Sequence, residues 1–353
     1  MPKDSYNSME PMALIQESQD YIRGGTQKDT YTPREVVSGP CPFCAGDRRE
    51  RLYTEHGAIG ISRCLDCSLI YACPRVRLPE QVYWGDGRIY EEEARLIFEG
   101  RAAHHRDPNY LEELCLIRRW KPAGRFLDVG CNMGMLLRLA KQMGWDVVGV
   151  EPSPSLSKIA RERNGLQIYN CSLGELPKSE EGAFDVIALS DVLEHIPDPL
   201  PFLSEASRFL ADDGVLYVKV PNGNWNLFKQ WTLGLMGRRP QQGIWDSYEH
   251  VVHYTDRTLR RMLRKAGFHP FKITIGRAIQ TPAWHEYVGH YYQYPTPWVL
   301  DWKRQLGRDL FWAVSWPERF ARGGSIGFFA PNIVLLASRR CIRTAQSPSS
   351  TTP

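Results

Sequence analysis

The 353-residue chain has no run of eighteen or more apolar residues, which excludes an ordinary membrane-spanning helix. Its first thirty residues, Met1 to Thr30, lack the basic-then-apolar pattern of a secretory signal, which argues against export. Charge of one sign is also scarce. Lys and Arg number 44 against 40 Asp and Glu, leaving +4, too little to announce a nucleic-acid binder from bulk electrostatics. No internal repeat is apparent. The cysteine count, nine, is odd, and without an export signal it argues against a disulfide framework. What is present is a normal globular balance, 42% hydrophobic and 24% charged, with length enough for two domains. Nine cysteines stand beside eleven tryptophans, and both are unevenly placed.

Four of the cysteines form two matched pairs. Cys41-Pro-Phe-Cys44 and Cys64-Leu-Asp-Cys67 are separated by nineteen residues, which fits the zinc-ribbon template of two knuckles closing one tetrahedron. A knuckle calls for a residue tolerant of positive φ after its second cysteine. Ala45-Gly46 and Ser68 stand at those places. Four thiolates leave no open coordination position, so Zn2+ held there would be structural. Cys73 and His56 are spare donors nearby, and Cys115, Cys131, Cys171 and Cys341 read as packing residues.

Along the chain, residues 1–38 read as a flexible leader, 39–75 as the zinc ribbon and 76–120 as a helical linker or cap. Residues 121–343 read as the main domain and 344–353 as a disordered tail. From Gly124 short apolar runs alternate with helical segments. Strands are predicted at 125–130, 145–151, 166–169, 184–189, 215–220, 271–275 and 332–338. Helices are predicted between them, one of them capped by Thr255 and ended by Gly267. Seven strands with interleaved helices make a doubly wound α/β sheet.

The turn after the first of these strands, Asp128-Val-Gly130-Cys-Asn-Met-Gly134, places glycines at a helix N-terminus, where backbone amides meet a ligand. The turn lacks a complete G-x-G-x-x-G, and Asp128 would repel a pyrophosphate. It suits a cationic amino acid portion instead. Glu151, twenty-three residues beyond Asp128, closes the second strand, where an acid can take both hydroxyls of a ribose.

These segments, with Phe184-Asp185-Val-Ile and Asp191-Val-Leu-Glu194-His195-Ile-Pro-Asp-Pro, resemble a class I S-adenosylmethionine-dependent methyltransferase. Tyr248-Glu-His-Val-Val-His-Tyr-Thr255, followed by Thr258-Leu and Ala266-Gly-Phe268, resembles the post-sheet segment of that family, and Leu69-Ile-Tyr71 with Pro74-Arg75 resembles members carrying an N-terminal zinc ribbon. The resemblance implies a Rossmann-like methyltransferase fold with S-adenosylmethionine as cofactor. Asp128 and Gly130 would face the methionine portion, Gly134 would open the helix beneath it, and Glu151 would hold the ribose. Ser172 and Leu173 would flank adenine, and Ser190 and Asp191 would border the sulfonium and the acceptor. A hydroxyl acceptor needs a base, for which His195 is the first candidate and His250 and His253 the second. Similarity to quinone O-methyltransferases adds the alternative that Asp191, Glu194 and His195 hold a divalent cation.

Two insertions, 222–248 and 277–331, interrupt the sheet and are expected to be largely helical and to cover the acceptor pocket. Eight of the eleven tryptophans lie between Trp225 and Trp316, and residues 277–343 carry nine Lys and Arg against four acids. Such a set suits stacking on sugar or quinone rings, contact with a lipid interface, or plain packing of an extra layer. The expected function is O-methylation of a small-molecule or glycan acceptor, which a lipid-linked acceptor would also satisfy. The expected setting is cytoplasmic, with peripheral membrane contact at the inner face left open. An RNA base methyltransferase gripping RNA through the ribbon is the alternative. Residues 41–75 carry five Arg against four acids, a near-neutral balance that disfavours nucleic acid. A non-catalytic binding protein on the same fold is a third reading, and the intact Asp128, Gly130 and Glu151 argue against it.

Overall fold

The computed structural model describes residues 30–77, 88–237, 244–280, 286–289, 292–297 and 302–340. The leader to residue 29 and the tail from 341, including Cys341, lie outside the described residues. The first strands are β1 (Val36–Val37), β2 (Arg49–Glu55), β3 (Ile59–Cys64), β4 (Ile70–Ala72) and β5 (Arg75–Val76). Strands β2, β3 and β4 form an antiparallel meander, while β1 pairs with β5. Next come α1 (Arg88–Phe98), β6 (Ala103–His104) and α2 (Asp107–Arg118). The linker is therefore not wholly helical: Gly100, at φ 69°, ends α1, and β6 follows.

The main sheet begins with β7 (Arg125–Val129), α3 (Met135–Gln142), β8 (Asp146–Val150), α4 (Pro154–Asn164) and β9 (Gln167–Tyr169). It continues through β10 (Phe184–Ser190), α5 (Pro199–Phe209), β11 (Leu210–Pro221), α6 (Gly223–Leu235), β12 (Val252–His253), α7 (Asp256–Lys265) and β13 (His269–Gly276). The chain then forms β14 (Glu286–Gly289), β15 (Tyr292–Pro297), α8 (Trp302–Ala321) and β16 (Asn332–Ser338). Seven strands pair in the order β13-β16-β11-β10-β7-β8-β9. Strands β11, β10, β7, β8 and β9 run parallel, and β16 is antiparallel to both neighbours. All seven strands read from the sequence are in this sheet.

Alternation along the central strands sorts their side chains onto two cores. Phe126, Val186, Ala188 and Tyr217 pack on one face with Leu114 and Ile117 of α2 and Leu136 and Leu137 of α3. Leu127, Ile187, Leu189 and Val218 pack on the other with Leu203 of α5 and Leu259 and Met262 of α7. Local chemistry sets the helix ends. Ser153 caps α4, Pro154 opens it, and Gly165 at φ 59° closes it. Thr255 and Thr258 cap α7 reciprocally.

The ribbon packs on the second face as part of the same core. Strand β4 continues into β12, pairing Tyr71 with Val252 and Ile70 with His253. The buried Glu55 carboxylate accepts from the backbone N–H of Ile244 (3.0 Å), Trp245 (2.9 Å) and Ser247 (3.2 Å), and from the Ser247 hydroxyl (2.7 Å). From α7, Arg261 donates to the carbonyl of Cys67 at 2.8 Å and Lys265 to that of Phe43. The segment entering β12 is thus held by the ribbon at several points.

Candidate active site

Each ribbon knuckle makes the same pair of hydrogen bonds. Cys41 N–H reaches the carbonyl of Gly46 and Ala45 N–H that of Cys41, as Cys64 N–H reaches Leu69 and Ser68 N–H reaches Cys64. Ala45 (φ 59°) and Ser68 (φ 68°) take the left-handed positions after the second cysteines. A Cβ on Gly46 would lie 3.4 Å from Cys44 Sγ and would collide with Asp66. The sulfurs of Cys41 and Cys67 are 3.4 Å apart, and those of Cys44 and Cys64 are 3.5 Å apart. One donor from each of the four cysteines lies within 4.8 Å of the others. A tetrahedron with metal–sulfur bonds of about 2.3 Å has edges of about 3.8 Å, so the four thiols fit one Zn2+. Neither spare donor joins them. Cys73 Sγ lies 3.5 Å from the Gly39 carbonyl, and the His56 ring meets Tyr248 edge-on.

At the carboxyl ends of β7, β10 and β11 lies a cavity of about 280 Å3. This is the strand-order reversal of the sheet, where open α/β folds bind ligands. Asp128 and Gly130 line it, as do Ser190, Asp191, Glu194, His195 and His250. Gly130 has φ 69°, and a Cβ there would come within 3.2 Å of Val192 and narrow the turn. Burial first, then the nearby carboxylates of Glu113 and Glu151, push Asp128 well above the usual carboxylate range. A cationic ligand group would relieve that.

Four of the predicted binding residues lie outside the cavity lining. Gly134, at φ 82°, caps α3, and a Cβ on it would collide with Leu166, so its smallness serves helix–sheet packing. Glu151 is buried, with one carboxylate oxygen accepting from Asn132 N–H and the other from Ser153 N–H, each at 2.9 Å. Asn132, at φ 52°, turns its amide onto that acid. Ser172 gives its hydroxyl and N–H to Glu175 in a capping box, and Leu173 is buried. His253 also lies elsewhere. It sits on β12 in the ribbon sheet, buried with its ring 4.9 Å from Trp245.

His195 and His250 do come together, their rings 4.8 Å apart. His195 Nδ1 is 3.2 Å from the carbonyl of Glu249. A carbonyl only accepts, so Nδ1 carries the proton and Nε2 presents a lone pair. Burial holds both imidazoles neutral, His195 down at about 3 with His250 as a lesser cause and His250 at about 4 with Lys229 as a lesser cause, while Asp191 works against both shifts. Glu194 is 2% exposed, and its two carboxylate oxygens have no hydrogen-bond partner. Glu194, His195 and His250 place donor atoms within 4.8 Å of one another. The third member of this group is therefore His250, and not the expected Asp191.

Asp191 is engaged otherwise. At φ 56°, it forms an ion pair with Arg106 and lies 3.1 Å from Lys219 Nζ. Lys219 also meets Glu113 at 2.9 Å, and Glu113 accepts from the Ser190 hydroxyl at 2.8 Å. Burial works to raise Asp191, but Arg106 and then Lys219 outweigh it and hold the carboxyl below its usual range. Arg106, Glu113 and Lys219 were not singled out in the sequence. Arg106 and Asp191 are 85 residues apart, and no local spacing announces such a pair.

Among the described residues, no tryptophan lines the cavity. Of the described residues of the two insertions the lining includes Ile279 alone; it also holds Pro221, just before the first, and Asn332, just after the second. Trp225 instead meets Phe311 at 4.7 Å, and Phe228 meets Phe329 at 5.1 Å, joining α6 to α8 and the segment after it. The second insertion also contains β14 and β15 besides its helix. Arg238, Arg239, Trp284, Tyr291 and Trp298 lie outside the described residues.

Residues 102–272 match the family described as a methyltransferase domain. A ubiquinone biosynthesis O-methyltransferase of Xanthomonas axonopodis pv. citri is 34% identical over 110 residues, 30% of this chain and 46% of that protein. One of the same description from Cereibacter sphaeroides is 31% identical over 152 residues, 41% of this chain and 60% of that protein. The chain spans about half the length of these curated relatives. Among solved structures, a methyltransferase of Thermotoga maritima matches at 20% identity and a TM-score of 0.43, covering 72% of this chain and 97% of that one.

Proposed function

We propose that this chain, whose central part is a class I S-adenosylmethionine-dependent methyltransferase domain, O-methylates a small molecule carried on a lipid. The observation that carries this reading is the single cavity joining Asp128 and Gly130 to Glu194, His195 and His250. Bound there, S-adenosylmethionine would supply an activated methyl group on its sulfonium. Asp128 suits the cationic amino acid portion, and Gly130 keeps the turn open for it. Transfer requires the acceptor hydroxyl to lose a proton while donor and nucleophile are held in line. The Nε2 lone pair of His195 and the His250 imidazole face that task; with those lone pairs and Glu194 engaged on a divalent cation, the ion would instead lower the hydroxyl's pKa so that its proton is lost to solvent. Neutral imidazoles and a carboxylate without partners form a donor set suited to such an ion. His253, buried on β12, has no part in this reading.

The lipid-linked class rests on two supports. The relatives named above are described as ubiquinone biosynthesis enzymes. The second is an inverted helix. On α8, Leu306, Leu310, Phe311, Val314, Trp316 and Phe320 are exposed, Phe320 at 89%. Its polar residues turn inward: Arg319 donates to the Ile273 carbonyl, and Glu318 accepts from Phe328 and Phe329 N–H. Trp231 and Leu235 of α6, and Met236 just after it, are exposed as well. A surface this apolar, on an insertion with six Lys and Arg against four acids, suits peripheral contact with a bilayer face. No helix among the described residues is long and apolar enough to cross a membrane.

The test is methyl transfer from labelled S-adenosylmethionine to a prenylated catechol in anionic phospholipid vesicles, to a soluble glycan fraction and to RNA. Label in the prenylated phenol, strongest with vesicles present, is expected. Transfer to RNA alone would overturn the proposal.

A further inference from the structure

We propose that Glu93, His104 and His105 form a divalent transition-metal site on the wall of the same cavity, distinct from Glu194, His195 and His250. Helix α1 contributes Glu93, and β6 with the residue after it contributes the two histidines. All three side chains are buried and all three line the cavity. Both carboxylate oxygens of Glu93 lack a hydrogen-bond partner, and His104 Nε2 is 3.6 Å from one of them. A buried carboxylate in that state is costly, and native structures ordinarily supply it a partner. One donor atom from each residue lies within 4.8 Å of the others, with the imidazole rings 4.6 Å apart. Around an ion with bonds of about 2.1 Å, donors stand about 3.4 Å apart, a contraction that small side-chain rotations provide.

The surroundings fit a loaded site. Asp107 Oδ1, itself without a hydrogen-bond partner, is 3.8 Å from His104 Nδ1. His104 Nδ1 here accepts from the Arg106 backbone N–H at 3.4 Å; when Nε2 binds metal, Nδ1 would carry the proton instead, and Asp107 beside it is the carboxylate that would accept its hydrogen bond. The two nearby guanidinium groups are already paired, Arg106 with Asp191 and Arg138 with Asp107 at 3.0 Å. Two histidines and one carboxylate suit Zn2+, Co2+ or Fe2+, and three protein donors leave positions open toward the cavity. An oxygen of the acceptor is the group that would fill them.

The experiment uses the full chain with zinc already on its ribbon, in a Glu194→Gln/His250→Ala background. Co2+ is titrated in and followed by visible absorption, with bound metal counted by native mass spectrometry. One Co2+ beyond the ribbon zinc is expected. Adding Glu93→Gln, or separately His105→Gln, should weaken its binding at least about tenfold, since even second-shell losses cost that much. Retained ribbon zinc and an unchanged far-ultraviolet dichroism spectrum show that each variant is folded. No Co2+ in the background chain, or equal affinity in the folded Glu93→Gln chain, would overturn the site. Because the background lacks two of the donors of the first cluster, its outcome is independent of the proposed methyl transfer.

Discussion

Lys219 is 3% exposed, and its ammonium bridges Glu113 and Asp191 at the cavity wall. Removing one partner of a buried ion cluster leaves the others uncompensated. Lys219→Met should therefore lower stability by about 3 kcal/mol in urea denaturation, at the low end because Arg106 still pairs with Asp191. A variant as stable as the wild type would show the network to be energetically idle. The pH dependence has a definite sign. Asp191 sits below its usual value of 3.8 in the folded chain. Its contribution is thus fully present above about pH 4 and is lost as pH falls toward the lower folded value, because the unfolded chain takes up the proton first. At this scale the sequence was partly legible. Cysteine spacing named four donors, and the Asp-x-Gly turn named two cavity residues. Glu151, Ser172 and Leu173 read as ligand residues, a role that stays a proposal; backbone amides orient Glu151, Glu175 caps Ser172 and Leu173 is buried. Glu93 and Arg106 were invisible because only tertiary folding brings them to the cavity.

At the scale of elements, the ribbon braces the segment that carries His250. Glu55 clamps residues 244–247, β4 pairs with β12, and Val251 N–H reaches the Glu194 carbonyl at 2.8 Å. Cys64→Ser should remove one zinc, read by native mass spectrometry. It should also lower kcat at least about tenfold through misplacement of His250, since small misplacements cost that much or more, while leaving S-adenosylmethionine affinity within about twofold. Retention of zinc would contradict the four-thiolate assignment, and equal loss of cofactor affinity would contradict the bracing role. The seven sheet strands were legible because buried parallel strands read as apolar runs bounded by turns. Strands β6, β12, β14 and β15 were not. They are two to six residues long and exist through partners far away in sequence, Tyr71 and Ile70 for β12 among them. The insertion tryptophans read as a cover for the acceptor, but Trp231 and Trp316 face outward, Trp225 packs on Phe228 and Phe311, and Trp245 is buried beside His253. Composition shows how apolar a helix is and not which way it faces.

For the molecule as a whole, the sheet's order reversal puts the carboxyl ends of β7, β10 and β11 around one cavity. The ribbon braces one side through β12, and α1 with β6 closes another. The apolar faces of α6 and α8 lie on segments that leave and rejoin the cavity wall at Pro221 and Asn332. Net charge of +4 conveyed none of this, since a near-neutral ribbon and a basic insertion average away within it. The central claim is that this cavity binds S-adenosylmethionine with Asp128 facing its cationic portion. Isothermal titration of S-adenosylmethionine into the wild-type chain and into Asp128→Asn tests it most directly. Saturable micromolar binding, weakened at least about tenfold in the variant by loss of a buried charge partner, is predicted. No heat of binding in the wild type, or equal affinity in the two chains, would contradict it.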